Sequence, residues 1–282
     1  MQYRSIIRVL LTGLVAAFIN LGATVPAAAA VQEYIFSAPP RGAPGKEAKV
    51  YGPIATYLSR VTGKKIVYKH PGNWLNYQND MQQGRYDLVF DGPHFIGWRI
   101  SKTQHQPLAK LPGSLAFVVF VKNDNKYVER VGDLAGRTIC GLAPPNLATL
   151  TMYNQFLNPA RQPLVIEVKS FPVDYKWVQS GKCVAGVMRD KAFNKLQKKH
   201  GNLARVVWSS RGTANQGFTA GPRFSAGDKK RIVNGLLSPD AAPYLDNFYN
   251  RFSKKNKSLQ QATASDYVGL SGLLQGIWGF DQ

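Results

Sequence analysis

The sequence predicts an α/β protein whose sheets are built mainly from parallel strands flanked by helices. Short apolar runs that suit buried strands alternate with segments of helical periodicity along most of the chain. The alternation occurs in two series, one ending near Ile100 and the other beginning near Asp133. Glycines and prolines stand where helices are expected to begin or end.

Residues 1–30 have the composition of a secretory signal peptide. Arg4 and Arg8 precede the apolar stretch Val9–Leu21, and small residues follow it. The apolar stretch is too short for a transmembrane anchor and ends in a cleavable motif, so we expect cleavage after Ala29 or Ala30. Without a cysteine at that junction, a lipoprotein anchor is not expected. The mature protein is therefore predicted to be exported and soluble.

In the first series a helix is expected after each strand. The predicted strands are Glu33–Ser37, Lys65–His70 and Tyr86–Phe90. An apolar stripe from Tyr51 to Val61 indicates the first helix, which either starts near Gly52 or kinks at Pro53. Gly63 is expected to end it. The second helix is predicted at Asn73–Gly84, and the third begins after Gly92.

The stretch Asp91–Phe95 joins the third strand to the third helix and is the strongest site candidate. Gly92 suits the N-cap and Pro93 the first helical position. The N–H groups of His94 and Phe95 should then point beyond the carboxyl end of the strand. Open α/β sheets bind ligands there, and a helix N-terminus favours an anion. The alternative is an ordinary strand-to-helix turn.

The second series continues the same alternation and ends in a helical tail. A long buried strand is predicted at Leu115–Val121, before this series begins. The strands of the second series are predicted at Arg137–Cys140, Leu164–Val168, Cys183–Met188 and Ala204–Trp208. Its helices are predicted at Asn146–Phe156, Asp174–Ser180 and Lys191–His200. Gln216–Pro222 then leads back towards the first series. The tail is predicted to be helical at Asp228–Leu237, Tyr244–Arg251 and Asp266–Ile277.

The net charge is strongly positive. It is +20 for the whole chain. Without Arg4 and Arg8 it is +18, because 34 basic and 16 acidic residues then remain. Export argues against nucleic acid as a partner, so we expect an anionic ligand or an anionic surface. The alternative is that the lysines only keep the protein soluble, which we favour for the cluster Lys191–Lys199.

The sequence carries few signs of catalytic or metal chemistry. Its four histidines are scattered, and its two cysteines match no zinc spacing. No motif of a serine hydrolase, a metalloprotease or a phosphate-binding loop is present. We therefore expect no cofactor, no metal and no enzymatic activity. An exported enzyme that acts on an anionic substrate is the alternative, and turnover of a phosphoester would reveal it.

Cys140 and Cys183 are candidates for a disulfide, because an exported protein meets an oxidising compartment. Both lie on strands that a doubly wound sheet would place side by side. Cys140 ends its strand whereas Cys183 begins its own, which would offset them along parallel strands. The alternative is two buried, reduced thiols.

Four segments together resemble the periplasmic solute-binding proteins of the phosphate, phosphite and phosphonate transporters. Lys49–Lys64 resembles their first helix, Gly84–Phe95 their third strand and the helix after it, and Val131–Ile139 the start of their second lobe. Ser265–Tyr267 resembles part of their C-terminal helix. The resemblance covers nearly all of the mature chain, in order.

This resemblance implies a type 2 periplasmic-binding-protein fold with two lobes and two crossover strands. Residues 31–119 and 217–282 would form lobe 1, and residues 120–216 lobe 2. Closure of the lobes would bend the crossover strands near Phe120 and Phe218. The family implies a periplasmic monomer that passes a small anion to an ABC transporter permease in the inner membrane.

The resemblance and the strand ends together define a candidate ligand site: Ser37, Asp91, Gly92, His94, Phe95, Asn146, Thr149 and Asp190. His94 could donate a hydrogen bond to an oxyanion. Asp91 and Asp190 would suit a ligand that still carries a proton, although Arg189 and Asp190 could equally form a helix cap and a surface ion pair. Tyr51, Trp74 and Tyr77 could either contact the ligand or pack in the core.

One departure from the family pattern and one alternative role leave the function open. Phosphonate-binding members carry a run of Ser and Thr where this chain has Gly141–Thr151, in which Asn146, Thr149 and Thr151 are the polar side chains. Phosphonate itself is therefore less well supported than an oxyanion in general. A sensory protein with the same lobes, serving a membrane histidine kinase or a respiratory system, is the alternative to transport.

Overall fold

Two mixed β-sheets, each covered by helices, organise the part of the chain that the structure describes. This structure is a computed structural model that describes residues 32–277 and residue 280. The predicted signal peptide, residues 1–30, lies outside the described residues and stays a prediction. Within them, no helix has the length and apolar character needed to span a bilayer.

The described residues form strands and helices in close alternation. The strands are β1 (Glu33–Ser37), β2 (Lys65–Tyr68), β3 (Leu88–Asp91), β4 (Gln106–Lys110), β5 (Ser114–Leu115), β6 (Phe117–Lys122), β7 (Thr138–Gly141), β8 (Leu164–Glu167), β9 (Ala185–Arg189), β10 (Ala204–Ser209), β11 (Thr213–Ala214), β12 (Gly217–Ala220) and β13 (Gln260–Gln261). The α-helices are α1 (Pro44–Thr62), α2 (Trp74–Gln82), α3 (Pro93–Lys102), α4 (Leu147–Tyr153), α5 (Phe171–Gln179), α6 (Asp190–His200), α7 (Ala226–Leu237) and α8 (Ala242–Phe252).

The first sheet has the strand order β13-β4-β12-β3-β1-β2, and the second has the order β10-β6-β9-β7-β8. In each sheet the strands that belong to the β–α alternation are parallel: β1 with β2 and β3, and β7 with β8 and β9. The chain passes between the sheets just before β6 and again just before β12. Each of these two strands pairs antiparallel with both of its neighbours. The sheets are therefore mixed rather than mainly parallel, because a strand that enters from the other sheet is not constrained by a helical crossover. We call each sheet with its helices a lobe.

Helices cover both faces of the first sheet. One face packs against α1, α7 and α8 through an aromatic core that includes Phe36, Phe90 and Phe248. The opposite face packs against α2 and α3 through Tyr77 and Phe95. The side chains of the central strand β3 are completely buried, as expected for a strand that is covered on both faces.

Helix α1 begins earlier than its apolar stripe indicates. It starts at Pro44, eight residues before the predicted start near Gly52, and continues through Pro53. Proline is well placed at the first position of a helix, because an N–H at that position would have no acceptor within the helix. Pro53 removes one helical hydrogen bond, but the side chains of Val50, Tyr51 and Ile54 beside it are buried, and their packing stabilises the helix. Gly63 ends the helix with φ 69°, as predicted.

The connection between the lobes differs from the strand predicted there. The expected strand Leu115–Val121 is broken at Ala116 into β5 and β6, and β5 pairs with β11 in a separate two-stranded ribbon. The predicted lobe boundary at 119/120 therefore lies inside β6, a strand of the second sheet. Phe120 and Phe218 sit inside strands with a hydrogen-bonded neighbour on each side. Such positions resist backbone rotation, so the ribbon formed by β5 and β11 is the better hinge candidate.

The C-terminal helix predicted at Asp266–Ile277 is absent. The segment forms two 3-10 turns, Ala264–Tyr267 and Leu270–Leu274, separated by Gly269 with φ 77°. The predicted apolar face still packs inward, because Tyr267 and Leu274 are buried. A Cβ on Gly97 of α3 would lie 3.0 Å from the Tyr267 carbonyl oxygen. The close approach of the tail to α3 therefore depends on a glycine at that position.

Cys140 and Cys183 form a disulfide in the second lobe. Their Cα atoms are 5.7 Å apart and their sulfurs 1.98 Å apart. Along the parallel pair β7 and β9, Cys140 lies opposite Gly186, so the two cysteines are offset as expected. Cys183 nevertheless precedes β9 in a tight bend, where the N–H groups of Lys182 and Cys183 both donate to the Trp177 carbonyl. This bend brings Cys183 back to Cys140.

Candidate functional site

A cavity of about 600 Å³ opens between the two lobes, and we call it the interlobe cleft. It lies where parallel strands of both sheets end, as expected for a ligand site in an α/β protein. Most of the segments that line it follow β1, β2, β3, β7 and β8 or end β9, and the others belong to the connections between the sheets. The lining residues are Pro40, Arg41, Trp74, Gly92, Pro93, His94, Phe95, Leu115, Phe117, Leu142, Ala143, Pro144, Pro145, Asn146, Leu147, Val168, Lys169, Phe171, Arg189 and Gln216.

The charged side chains of the interlobe cleft are all basic. Arg41, Lys169 and Arg189 line it, and no carboxylate does. Among the described residues, none of these three cations forms a salt bridge. Cations that face a cleft without a carboxylate partner create a positive potential that favours an anionic ligand.

Arg189 is the least solvated of these cations. Its side chain is half-buried at the end of β9, and its Nε is buried without a hydrogen-bond partner. Burial lowers the pKa of Arg189, and the negative charge of Asp190 opposes this shift. A buried guanidinium N–H without an acceptor is unfavourable, so Arg189 gains most from an anion that enters the interlobe cleft.

Three helices, α3, α4 and α5, begin beside the interlobe cleft, and α3 and α5 are the longer ones. Gly92 caps α3 with extended backbone and Pro93 occupies its first position, as predicted. Helix α5 begins at Phe171, directly after Ser170. The first N–H groups of a helix have no intrahelical acceptor and carry partial positive charge. Both helix ends therefore add to the attraction of an anion.

His94 connects the two lobes across the interlobe cleft. Its Nε2 lies 3.0 Å from the carbonyl oxygen of Pro145, so this nitrogen carries the proton and donates it. Burial lowers the pKa of His94 to about 3, opposed by the Pro145 hydrogen bond and assisted by the charge of Arg41. The ring is therefore neutral at physiological pH. Its donor is engaged by Pro145, which corrects the expectation that His94 donates to an oxyanion.

Asp91 lies in the interior and does not line the interlobe cleft. Its Oδ2 accepts from Arg99 Nε at 2.7 Å, and its Oδ1 accepts from the Tyr77 hydroxyl at 2.6 Å. Arg99 Nη2 also donates to the Tyr77 oxygen at 3.0 Å. All three side chains are fully buried. The carboxylate therefore neutralises a buried arginine, and the geometry gives no support to a contact between Asp91 and a ligand.

Three further predicted contacts are engaged within the protein. Ser37 donates to the Lys69 carbonyl at 2.9 Å, and Thr149 donates to the Leu142 carbonyl at 2.6 Å. Asp190, the first residue of α6, accepts from the Lys191 N–H at 2.6 Å. These three residues do not line the interlobe cleft. The Asp190 contact is local, as is common for a short polar side chain at the start of a helix. The Ser37 and Thr149 hydrogen bonds instead join residues that are 32 and 7 positions apart.

The structure brings half of the predicted site together. Gly92, His94, Phe95 and Asn146 line the interlobe cleft, and Asn146 also caps α4 by accepting from the Ala148 N–H at 3.0 Å. The sequence-based set missed the basic residues Arg41, Lys169 and Arg189. A signal for them existed, because Arg41 and Lys169 follow strands β1 and β8 at the same sheet edges that were used to select the other candidates.

The described residues contain no group of three or more His, Cys, Asp or Glu that could hold a metal ion. The interlobe cleft therefore offers guanidinium, ammonium and backbone N–H donors together with apolar walls. Such a surface can bind an oxyanion through charge-assisted hydrogen bonds. It contains no nucleophile paired with a base among its lining residues.

Comparison with known proteins connects this geometry to a family. A family model described as the periplasmic substrate-binding protein of phosphonate ABC transporters matches residues 36–268. No curated protein matches the sequence.

Solved structures of the same fold are remote in sequence. A Xanthomonas citri protein, XAC2383, solved with bound ATP, is 12% identical, with 89% of this chain and 99% of that chain covered and a TM-score of 0.68. PhnD1 of Prochlorococcus marinus, solved with methylphosphonate, is 16% identical, with 86% and 97% covered and a TM-score of 0.60. A binding protein component of a phosphonate ABC transporter from Pseudomonas aeruginosa is 11% identical, with 86% and 85% covered and a TM-score of 0.58. These similarities confirm the predicted fold class.

Proposed function

Because the chain belongs to the family of periplasmic substrate-binding proteins of phosphonate ABC transporters, we propose that its interlobe cleft captures a solute by a tetrahedral oxyanion of the phosphate or phosphonate kind. The solute then passes to the permease of the transporter. Secretion by the signal peptide at residues 1–30 and a monomeric state are part of this proposal. A binding protein of this kind needs no catalytic group.

The observation that carries the proposal is the unpaired positive charge of the interlobe cleft. Arg189 is half-buried with an unpartnered Nε, and Arg41 and Lys169 line the same space without a carboxylate. An arginine fork matches the oxygens of a phosphate or phosphonate and can bind two of them at once. Two similar structures were solved with phosphorus oxyanions, methylphosphonate and ATP, which agrees with this ligand class.

Closure of the lobes would complete the site. The ribbon formed by β5 and β11 is short and connects the two sheets, so small backbone rotations there would move one lobe against the other. The hydrogen bond between His94 and Pro145 already crosses the interlobe cleft near α3. A ligand that contacts Arg41 on the first lobe and Arg189 on the second would add further bridges and favour the closed form.

Isothermal titration of the mature protein with methylphosphonate, phosphate, sulfate and small carboxylates tests this function. Arg189→Gln should weaken the binding of the preferred oxyanion by about 10–100-fold, because a hydrogen bond to a charged group contributes about 1.5–3 kcal/mol. Arg161→Gln is the matched control. Arg161 is exposed and does not line the interlobe cleft, so this variant changes the net charge equally and should bind like the wild type. If neutral or cationic solutes bind while none of the oxyanions does, the proposed function is wrong.

A further inference from the structure

The walls of the interlobe cleft are mostly apolar, which a small hydrophilic phosphonate would not require. Of its 20 lining residues, 14 are glycine, proline, aliphatic or aromatic, and none is a serine, threonine or tyrosine. Small polar ligands are usually held by hydroxyl and amide groups, whereas apolar walls fit the organic part of a larger ligand. The volume of about 600 Å³ lies within the range of about 300–1,000 Å³ that is typical of sites for drug-sized molecules.

Aromatic side chains line the interlobe cleft from both lobes. Phe95 and Phe117 are almost completely buried and belong to the core. Trp74 of the first lobe and Phe171 of the second differ from them, because both line the cleft and keep exposed surface. Trp74 remains 41% exposed. A large apolar ring in a cleft gains stability when a ligand covers it.

The ring of Trp74 is held in a defined orientation. It stacks on Phe95 with 6.2 Å between ring centroids and an interplanar angle of 27°, and its contact with Tyr77 is edge-on at 89°. Phe95 in turn meets Tyr77 edge-on at 81°. A ring that is fixed by its neighbours loses little conformational entropy when a ligand stacks on it.

A cation accompanies each of the two exposed rings. Arg41 lines the interlobe cleft on the lobe of Trp74, and Lys169 precedes Phe171 by two residues on the other lobe. Arg189 lies on the second lobe at the end of β9. A ligand with an oxyanion for the cations and a flat ring for Trp74 and Phe171 would use both kinds of surface.

We infer that the preferred substrates are phosphate or phosphonate esters and acids that carry a planar, aromatic ring, with Trp74 and Phe171 as the residues that recognise the ring. This inference rests on the proposed function, because it assumes that the oxyanion binds in the interlobe cleft. It adds a specificity that the basic residues alone do not provide.

The test compares phenylphosphonate with methylphosphonate, which share the oxyanion and differ in the ring. In the wild type, titration calorimetry should give a dissociation constant for phenylphosphonate at least about ten-fold lower, since one well-placed aromatic contact has about this effect. Trp74→Leu and Phe171→Leu keep apolar bulk but remove the ring, and each should reduce this ratio. Tyr127→Leu, which removes an 82% exposed ring outside the cleft, should preserve it.

The outcomes separate the inference from the function on which it rests. Equal affinities for the two ligands, or a ratio that neither Trp74→Leu nor Phe171→Leu reduces, overturn the inference on the ring and leave oxyanion binding intact. If the wild type binds neither phosphonate nor any other oxyanion, the proposed function fails and the inference fails with it. Melting temperatures of the variants show whether each is folded under the conditions of the titration.

Discussion

Replacing Asp174 with asparagine should make the protein less sensitive to rising pH. Asp174 lies on α5 and is fully buried, and neither oxygen of its carboxyl group has a hydrogen-bond partner. The site is tightly packed, because a Cβ on Gly186 would lie 2.3 Å from Asp174 Oδ1 and 2.4 Å from the Phe120 ring. Burial raises the pKa of Asp174 well above its ordinary value, and the nearby N–H of Val187 opposes this only in part.

The sign of the effect follows from the raised pKa. Below the ordinary carboxyl pKa of about 3.9, both the folded and the unfolded chain are protonated at this position. As the pH rises above that value, the unfolded chain releases the proton while the folded protein retains it. Each pH unit then lowers the free energy of unfolding by about 1.4 kcal/mol until the pH reaches the pKa of the folded state.

For a chain of this length, such a slope corresponds to a fall in melting temperature of about 3–5 °C per pH unit. Asp174→Asn removes the titration. The variant buries an amide without partners, which costs about 1–3 kcal/mol at every pH. Its melting temperature relative to the wild type should therefore increase with pH, whatever its value in acid.

Melting temperatures measured by circular dichroism from about pH 4 to about pH 8 check this difference, since other titrating groups are common to both proteins. Asp124→Asn is the control for the loss of a carboxyl group at the surface, because the Asp124 side chain is 72% exposed. A difference between Asp174→Asn and the wild type that stays constant over this range would refute the reasoning.

Two further changes should separate structural roles from binding. Asp91→Ala should lower the free energy of unfolding by about 3–5 kcal/mol, because it leaves Arg99 buried without its carboxylate. Urea denaturation measures this loss, and calorimetry should show that the oxyanion affinity is unchanged. A strong loss of affinity would instead place Asp91 in the binding site. Replacing Cys140 and Cys183 with serine should cost about 4 kcal/mol in the chain-entropy model, given their separation of 43 residues. Intact mass after alkylation without reductant checks the pairing, which two alkylated thiols would contradict.

The alternation of strands and helices could be predicted from the sequence because it depends on local patterns. Glu33–Ser37 is a strand with the predicted bounds, and Gly63 ends α1 in the left-handed conformation that glycine tolerates best. Gly92 and Pro93 begin α3 as predicted. Backbone preferences and apolar spacing act within a few residues, so these features can be predicted without the rest of the molecule.

The sequence was less informative where distant segments decide the backbone. The apolar spacing of Tyr267 and Leu274 correctly indicated burial, but the tail follows the surface of α3 in 3-10 turns instead of a helix. Ala116 lies within a continuous apolar run, yet the chain leaves the ribbon for the second sheet there. Pairing with β11 and β9 determines that break, and both partners lie far away in sequence.

The polar and charged residues that follow the carboxyl ends of parallel strands can be recognised in the sequence, and they located the site in the fold. Which of them face the interlobe cleft depends on contacts between distant segments. Asp91 turns inward because Tyr77 and Arg99 meet its carboxylate in the core. Arg41 and Arg189 reach the cleft from different lobes. A charged side chain lies where its desolvation is best compensated, and the partners that compensate it come from segments that only folding brings together.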